Sequence, residues 1–212
     1  ALRRAALGII RIILDNQWTL PLTQIITAAS AGYQVQNIEC SDSSQSAVLE
    51  FIETRLGVYY RDQREITPQI IQAVQAVKPH NLVDFAQRID AVLEFSYLEV
   101  AATLAASNKR VRNLLRKNSS TGQQKIDTQL LTEPAEQLLH QSILAKEQAH
   151  AKDTDYQAIL LDLADLAQPV DNFFEQVMVM TDDDKIKQNR LALLGKLRSL
   201  FLTAADISAL DI

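Results

Sequence analysis

Glycine and proline are scarce in this chain, which argues against folds that depend on many tight turns. Only five residues of each type occur among 212, whereas alanine, leucine and glutamine, which favour helices, are abundant. No alternating apolar and polar stretch of useful length predicts a strand. The composition therefore predicts an all-α fold.

Cysteine and histidine are also rare, which limits disulfides and metal sites. Cys40 is the single cysteine, so no disulfide can form within the chain. The three histidines, His80, His140 and His150, are far apart and do not match the spacing of zinc ligands. A lone thiol suits a reducing compartment, so we expect the protein in the cytoplasm.

Long apolar runs are absent too, so we expect no membrane span and see no signal peptide. The chain opens with ALRRAALGIIRIILD, already in helical rhythm and without an initiator methionine. We therefore interpret the sequence as a fragment of a longer protein.

Motifs for catalysis are missing as well. We find no phosphate-binding glycine loop, no dinucleotide fingerprint and no nucleophile elbow. Asp182, Asp183 and Asp184 suggest Mg²⁺, but consecutive side chains on a helix point in different directions. We interpret these acids as the start of the last helix, with Thr181 or Asp182 as its N-cap. The sequence thus predicts no catalytic, cofactor or metal site in this chain.

Charge is unevenly placed along the chain, although the net charge is −5. Residues 100–126 contain no acid, and their six basic residues are Lys109, Arg110, Arg112, Arg116, Lys117 and Lys125. Residues 127–184 contain thirteen acids against two lysines. A basic element followed by an acidic region permits a local phosphate-binding surface, which the net charge conceals.

Hydrophobic periodicity and turn signals divide the chain into four parts. Residues 1–36 predict the helical end of an upstream domain, and residues 37–46, which are polar and aperiodic, predict a linker. Residues 47–96 predict a helical connecting region. Residues 97–212 predict a helical bundle that carries the binding function.

Capping residues mark several helix starts within these parts. Thr67 with Pro68, and then Asn81, are typical first residues of helices. A helix is predicted from about residue 46 to residue 64. Later helices are predicted at about residues 108–116, 134–152, 156–166, 170–180 and 182–205, and residues 118–124 predict an exposed loop.

The segment NKRVRNLLRK predicts a helix with one apolar face and one basic face. Guanidinium groups pair with phosphate oxygens or base edges, and an Asn amide offers both a donor and an acceptor. The candidate RNA contacts here are Asn108, Lys109, Arg110, Arg112, Asn113 and Arg116. An ordinary solvated helix face is the alternative. Phe174, expected near an edge of the bundle, is a weaker candidate for stacking on a base.

In the last helix, basic residues alternate with leucines and predict a basic stripe beside an apolar one. The stripe residues are Lys187, Arg190 and Lys196. Asn189 and Arg190 are a second pair of candidate RNA contacts. The alternative is an ordinary amphipathic closing helix whose charges meet the acidic region.

Two blocks, SNKRVRNLL at residues 107–115 and DNFFEQVMVMTDDDKIKQNRLALLGKLRSLFLTAADIS at residues 171–208, resemble the bacterial glycyl-tRNA synthetase beta subunit in order and spacing. The resemblance implies a C-terminal anticodon-binding domain related to the DALR type. By that resemblance Asn108, Lys109, Arg110 and Asn113 occupy matching motif positions, while Arg112 fills a variable one. The literal tetrapeptide DALR is absent, so the relationship rests on helix order and the NRLALL pattern.

The resemblance further implies a part of glycine-tRNA ligase, a class II aminoacyl-tRNA synthetase, that is non-catalytic on its own. It would position tRNA(Gly) for aminoacylation by the alpha subunit, which uses ATP and Mg²⁺. The implied partners are tRNA(Gly) and the alpha subunit. The resemblance implies no contact with DNA or with a membrane. The alternative is a non-catalytic helical scaffold for subunit association. A third interpretation, an enzyme fragment with its own active site, is disfavoured because the sequence lacks catalytic motifs.

Overall fold

The computed structural model describes residues 1–64, 66–79, 81–118, 124–151 and 154–212, which form helices joined by short segments. Within that part of the chain the predicted all-α class is confirmed. The helices are α1 (Leu2–Asp15), α2 (Leu22–Gln34), α3 (Asp42–Arg64), α4 (Pro68–Gln75), α5 (Leu82–Ser96), α6 (Ala101–Lys117), α7 (Pro134–Ala149), α8 (Tyr156–Leu163), α9 (Ala167–Gln176) and α10 (Asp184–Leu202). His80 and residues 119–123 of the predicted loop lie outside the described residues.

The N-terminal helices pack around α3, which contacts both α1 and α2. This helix begins at Asp42, several residues before the predicted start. The hydroxyl of Ser41 accepts a hydrogen bond from the Ser44 amide at 3.2 Å, so it caps the first turn. The last five residues of the predicted linker 37–46 are therefore helical.

Helices α4 and α5 begin at the predicted caps. The Thr67 hydroxyl accepts from the amide of Ile70 at 3.4 Å. The Asn81 side chain accepts from the amides of Val83 and Asp84 at 3.0 and 2.9 Å. Both predicted N-caps are confirmed. α5 packs extensively on α8, so the connecting region and the C-terminal bundle share one apolar core.

Helix α10 lies at the centre of the C-terminal bundle, where it contacts α6 and α7. Every residue from Asn189 to Gly195 is buried. Its N-cap is Asp183, which accepts from the amides of Lys185 and Ile186 at 2.9 and 3.2 Å. The predicted cap at Thr181 or Asp182 is wrong. The N-cap is the residue with extended backbone directly before the first helical residue, and that residue is Asp183.

Helix α9 ends at Gln176, whereas the apolar periodicity predicted a helix to residue 180. Val177 is extended, with φ −112° and ψ 119°. Val177 and Val179 are buried, while Met178 and Met180 are 75% and 46% exposed. The side chains of segment 177–180 therefore alternate between the inside and the outside, as they do in a strand. The two β-branched valines share the inner side.

A buried arginine of α5 ties three helices together. Arg88 donates to Asp84 at 2.9 Å, to the carbonyls of Thr203 and Ala204 at 2.7 Å each, and to the Tyr156 hydroxyl at 2.7 Å. The two carbonyls lie just beyond the end of α10, where no helical amide follows to satisfy them. Burial, together with the hydrogen bond that Tyr156 donates to Asp84, raises the pKa of the Tyr156 hydroxyl.

The C-terminal segment is held by a second buried carboxylate. Arg198 donates to both oxygens of Asp206 at 3.0 and 2.6 Å, and the Asp206 amide donates to the carbonyl of Ala73 in α4 at 2.9 Å. Burial works to raise the pKa of Asp206, but hydrogen bonds from Arg198 and Ser208 outweigh it and lower the pKa below 3.8. The ionised carboxylate is thus the form that the fold favours.

We expect the Asp206→Asn variant to lose stability in a pH-dependent way. Because the folded-state pKa is lowered, the stabilising contribution is complete above the ordinary value of 3.8 and is lost as the pH falls through the lowered value. The difference in unfolding free energy between the two proteins should be largest at neutral pH and should narrow below pH 3.8. Urea unfolding across the pH range measures it. The exposed Asp211→Asn is the control, and a difference that stays constant with pH would contradict the expectation.

Candidate nucleic-acid interface

Helix α6 presents an apolar face to the bundle and a basic face to solvent. Leu104, Val111 and Leu115 are buried, and the helix packs on α10, α9 and the turn Ile207–Ala209. This packing fixes the orientation of the helix about its axis. The predicted division into an apolar and a basic face is therefore found.

The basic side chains of α6 lie on one arc of the helix, away from Val111. Lys109, Arg110, Arg116 and Lys117 are exposed, and Arg112 and Asn113 are half-buried. Among the described residues, no carboxylate pairs with any of these cations. Their charge therefore remains available for phosphate groups.

The basic residues of α10 are used differently. Each of the three predicted stripe residues pairs with a carboxylate of the acidic region: Lys187 with Asp184, Arg190 with Glu136 and Lys196 with Glu147. The alternative interpretation of this helix, that its charges meet the acidic region, is confirmed for these three residues. The structure thus separates two helices that look similarly basic in the sequence.

Arg190 and Glu136 form a buried ion pair between α10 and α7. Arg190 is 6% exposed and donates through Nε to Glu136 at 2.6 Å, and Glu136 is fully buried. The other Glu136 oxygen accepts from the Glu133 amide at 2.8 Å, which completes a capping box at the start of α7. Arg190 also donates to the Met178 carbonyl at 2.8 Å. The guanidinium positions the segment 177–180 from inside the protein.

Asn189 is likewise in the interior. Its side chain accepts from the Asp127 amide at 2.8 Å and donates to the Asp127 carbonyl at 2.9 Å. The amide group therefore imitates a strand partner and holds the segment before α7 against α10. Direct RNA contact by Asn189 and Arg190 stays a prediction, and the structure gives both side chains interior partners instead.

Asn108 occupies the buried side of α6 and is 1% exposed. Its Nδ2 donates to the Leu104 carbonyl at 3.1 Å, and its Oδ1 is buried without a hydrogen-bond partner among the described residues. Such an oxygen costs free energy when unsatisfied. Of the two candidate asparagines on α6, Asn113 is the one placed at the edge of the basic face.

Helix α9 and the segment that follows it place Phe174, the weaker stacking candidate, and Met180, which the sequence pattern did not single out, against α6. The guanidinium of Arg110 lies over the ring of Phe174, 4.1 Å from its centroid. Asn118, at the end of α6, donates to the Met180 sulfur at 3.7 Å. The alternating sequence VMVM was the available signal for the exposed methionines, because a period of two differs from the helical period around it.

Family comparisons agree with this geometry. Residues 104–210, just over half of the chain, match the DALR anticodon binding domain. The chain belongs to the DALR anticodon-binding domain family. Residues 1–76, which precede the DALR domain, match the family described as glycyl-tRNA synthetase beta subunit.

Proteins named glycine–tRNA ligase beta subunit align with the whole of this chain. The glycine–tRNA ligase beta subunits of Shewanella baltica, Vibrio parahaemolyticus and Tolumonas auensis are 46%, 44% and 42% identical to it. Each alignment covers all of this chain and 31% of the relative. The resemblance to the beta subunit is confirmed, and the chain spans about a third of the length of these relatives.

Acidic clusters and long apolar helices are the features that would indicate a metal site or a membrane span. Across the described ranges, no three or more His, Cys, Asp or Glu side chains cluster as a metal site would require. None of the helices in those ranges is both long and apolar enough to cross a membrane.

Proposed function

We propose that this chain is the anticodon-recognition module of a cytoplasmic glycine–tRNA ligase beta subunit, which positions tRNA(Gly) for aminoacylation by the alpha subunit. The supporting observation is the contrast between α6 and α10. The three stripe cations of α10 pair with carboxylates, Arg190 in the interior and Lys187 and Lys196 at the surface, whereas the cations of α6 have no carboxylate partners among the described residues. Family membership gives such a surface its ligand class, a tRNA anticodon.

Recognition would divide between phosphates and bases. Lys109, Arg110, Arg112 and Arg116 are our candidates for phosphate contact, because guanidinium and ammonium groups donate to phosphate oxygens in this exposed arrangement. Asn113 is the candidate for a base edge, since its amide both donates and accepts. Asn108, Asn189 and Arg190 would act indirectly, by holding α6 and its neighbours in place.

Cytosine sets the chemical demand on this surface. The genetic code gives every glycine anticodon cytosine at its second and third bases, and cytosine offers one amino donor beside N3 and O2 acceptors. A surface with Arg or Lys donors and an Asn oxygen meets both requirements. Discrimination would arise when a wrong base leaves a buried donor unpaired, at a cost of about 1–3 kcal/mol per contact.

Catalysis would take place elsewhere in the enzyme. By family resemblance, ATP and Mg²⁺ belong to the alpha subunit, and this chain would contribute binding and orientation. Holding the anticodon in a fixed place restricts the orientation of the acceptor end. Less entropy is then lost when the reacting groups are aligned. An alpha subunit and tRNA(Gly) are therefore the proposed partners.

Replacing either anticodon cytosine is expected to weaken binding of tRNA(Gly) to this chain. Each replacement should cost roughly fivefold or more in affinity, because one base contact is worth at least about 1 kcal/mol. Affinity should also fall with salt at a slope of about −0.7 per phosphate contact on unpaired RNA. Fluorescence anisotropy over a salt series measures both quantities.

A tRNA with an altered acceptor stem and an intact anticodon is the matched control for that measurement. It should bind this chain as tightly as the unaltered tRNA does. Equal affinity for all anticodon variants, or no binding at low salt, would contradict the proposed recognition of the anticodon.

A non-catalytic scaffold for subunit association is the second candidate, and the N-terminal helices favour it. Many large apolar side chains are exposed there, namely Leu2, Ile9, Ile12, Trp18, Leu20, Tyr33, Val35, Ile38 and Val48. A concentration of this kind is typical of a protein-contact surface. A scaffold would keep its protein contact after the basic face of α6 is neutralised, which separates it from tRNA recognition.

A further inference from the structure

Two exposed methionines lie in the segment that follows α9, and the second of them contacts the end of α6. Met178 and Met180 are 75% and 46% exposed, and the valines between and before them are buried. The Met178 carbonyl accepts from the buried guanidinium of Arg190 at 2.8 Å. The segment is therefore held from inside, and its two thioethers are held outside.

The same side of the bundle carries a stacked cation and ring. Arg110 lies 4.1 Å above the centroid of Phe174, and Phe174 packs edge-on against the fully buried Phe173, 5.5 Å between ring centroids. The buried Phe173 therefore supports the Phe174 ring from the interior, and the exposed Arg110 guanidinium covers the ring.

Two contacts place these groups against α6. Phe174 lies under Arg110, and Met180 lies beside Asn118, eight residues further along. At 1.5 Å and 100° per residue, the two contacts are about 12 Å apart along the helix and about 80° apart around it. Lys117 is almost in line with Arg110, so an exposed cation lies close to the second contact.

We propose that Met178, Met180 and the Arg110–Phe174 stack form a platform on which unpaired bases of the bound RNA loop lie, beside the phosphates that α6 holds. This inference rests on the proposed function and names the part of the ligand that this surface takes. Guanidinium planes and polarisable thioethers are suitable stacking partners for bases. The flanking cations favour a nucleic acid over an apolar protein partner, because an apolar partner would have to desolvate them.

The buried ion pair between Arg190 and Glu136 supports this platform from inside the protein. Glu136 fixes Arg190, and Arg190 fixes the Met178 carbonyl. A platform held in advance loses less conformational entropy on binding than a flexible loop would. Arg190 and Glu136 are therefore positioning residues for the RNA surface.

A cycle of protein and RNA changes tests the platform. The 212-residue chain and its Met178→Ala/Met180→Ala variant are titrated with a synthetic anticodon stem-loop carrying the glycine anticodon. The same titration uses stem-loops in which one loop nucleotide at a time is abasic, so that a base is removed and its phosphate remains. The variant should bind the intact loop about fivefold or more weakly. At one abasic position that difference should vanish, because the base that would stack on the methionines is already absent.

The salt dependence distinguishes stacking from charge. Removal of the methionine side chains should leave the slope of affinity against salt unchanged, since every phosphate contact remains. Arg110→Lys should also weaken binding at an unchanged slope, because lysine keeps the charge and lacks the planar group. The control is Leu161→Ala on α8, an apolar residue of matched exposure at 45%, which should bind as the unaltered chain does.

The outcomes separate this platform from the proposed function. If the unaltered chain binds no stem-loop, both are overturned. If it binds and the methionine variant binds equally well, or loses the same factor on every abasic RNA, the platform alone is overturned. In that case RNA binding by α6 is unaffected, and the cytosine replacements described above decide anticodon recognition.

Discussion

The Arg190→Met variant is expected to lower the free energy of unfolding by about 3–5 kcal/mol, the usual cost of leaving one member of a buried ion pair alone. Glu136 is fully buried, and Arg190 is its cationic partner at 2.6 Å. The Met178 carbonyl would lose its donor at the same time. Urea unfolding followed by circular dichroism measures the change.

A second substitution separates the stranded charge from reduced packing. Glu136→Gln combined with Arg190→Met removes the uncompensated carboxylate and keeps an oxygen that can accept from the Glu133 amide. The double variant should be more stable than Arg190→Met alone. Arg116→Met on the exposed face of α6 is the matched control and should change stability by less than about 0.5 kcal/mol.

A double variant no more stable than the single one would contradict this account. In that event the destabilisation would come from packing of the arginine stem or from the Met178 carbonyl. The same pair of variants bears on the platform, because a displaced segment 177–180 should weaken stem-loop binding even at temperatures where both proteins remain folded.

Neutralising the free cations of α6 is expected to reduce tRNA affinity on the order of 10²-fold at about 0.1 M salt. The variant replaces Lys109, Arg112, Arg116 and Lys117 with glutamine. For each phosphate interaction that the variant removes, the slope of log affinity against log salt should become shallower by about 0.7. Stability should change little, because these side chains have no carboxylate partners among the described residues.

The matched control removes the same number of charges from the N-terminal helices. Arg3, Arg4, Arg11 and Arg61 are exposed and lie outside the DALR domain. Their replacement with glutamine should leave most of the affinity intact. Equal reductions in affinity for the two quadruple variants would mean that net charge alone governs binding. Unchanged binding to the alpha subunit by the α6 variant would separate RNA recognition from a scaffold role.

The helical class and many helix starts could be predicted from local sequence. Thr67 and Asn81 cap helices where expected because capping depends on neighbouring residues alone. The predicted helix boundaries were wrong where neighbouring residues offered a second possible boundary. Asp183 caps α10 although the two residues before it offer similar side chains. Residues 177–180 are extended although their apolar pattern also fits a helix.

The candidate site was predictable only in part. The basic face of α6 follows from a stretch without acids, so the exposure of Lys109 and Arg116 could be expected. Family resemblance supplied the ligand class, and the family comparison confirmed that resemblance. Asn108 was predicted as an RNA contact, but it lies on the same side as Val111 and Leu115, three and seven residues on, and is 1% exposed.

The sequence by itself determined an all-α chain with a basic helix followed by an acidic region. Only the tertiary structure decided which cations stay free. Arg190 meets Glu136 across 54 positions of sequence, and Asn189 meets Asp127 across 62. Such partners are chosen by packing of distant segments, because a charge removed from water must find an opposite charge or a hydrogen bond wherever the fold provides one. The cations of α6 stay in solvent because the opposite face of their helix fills the core.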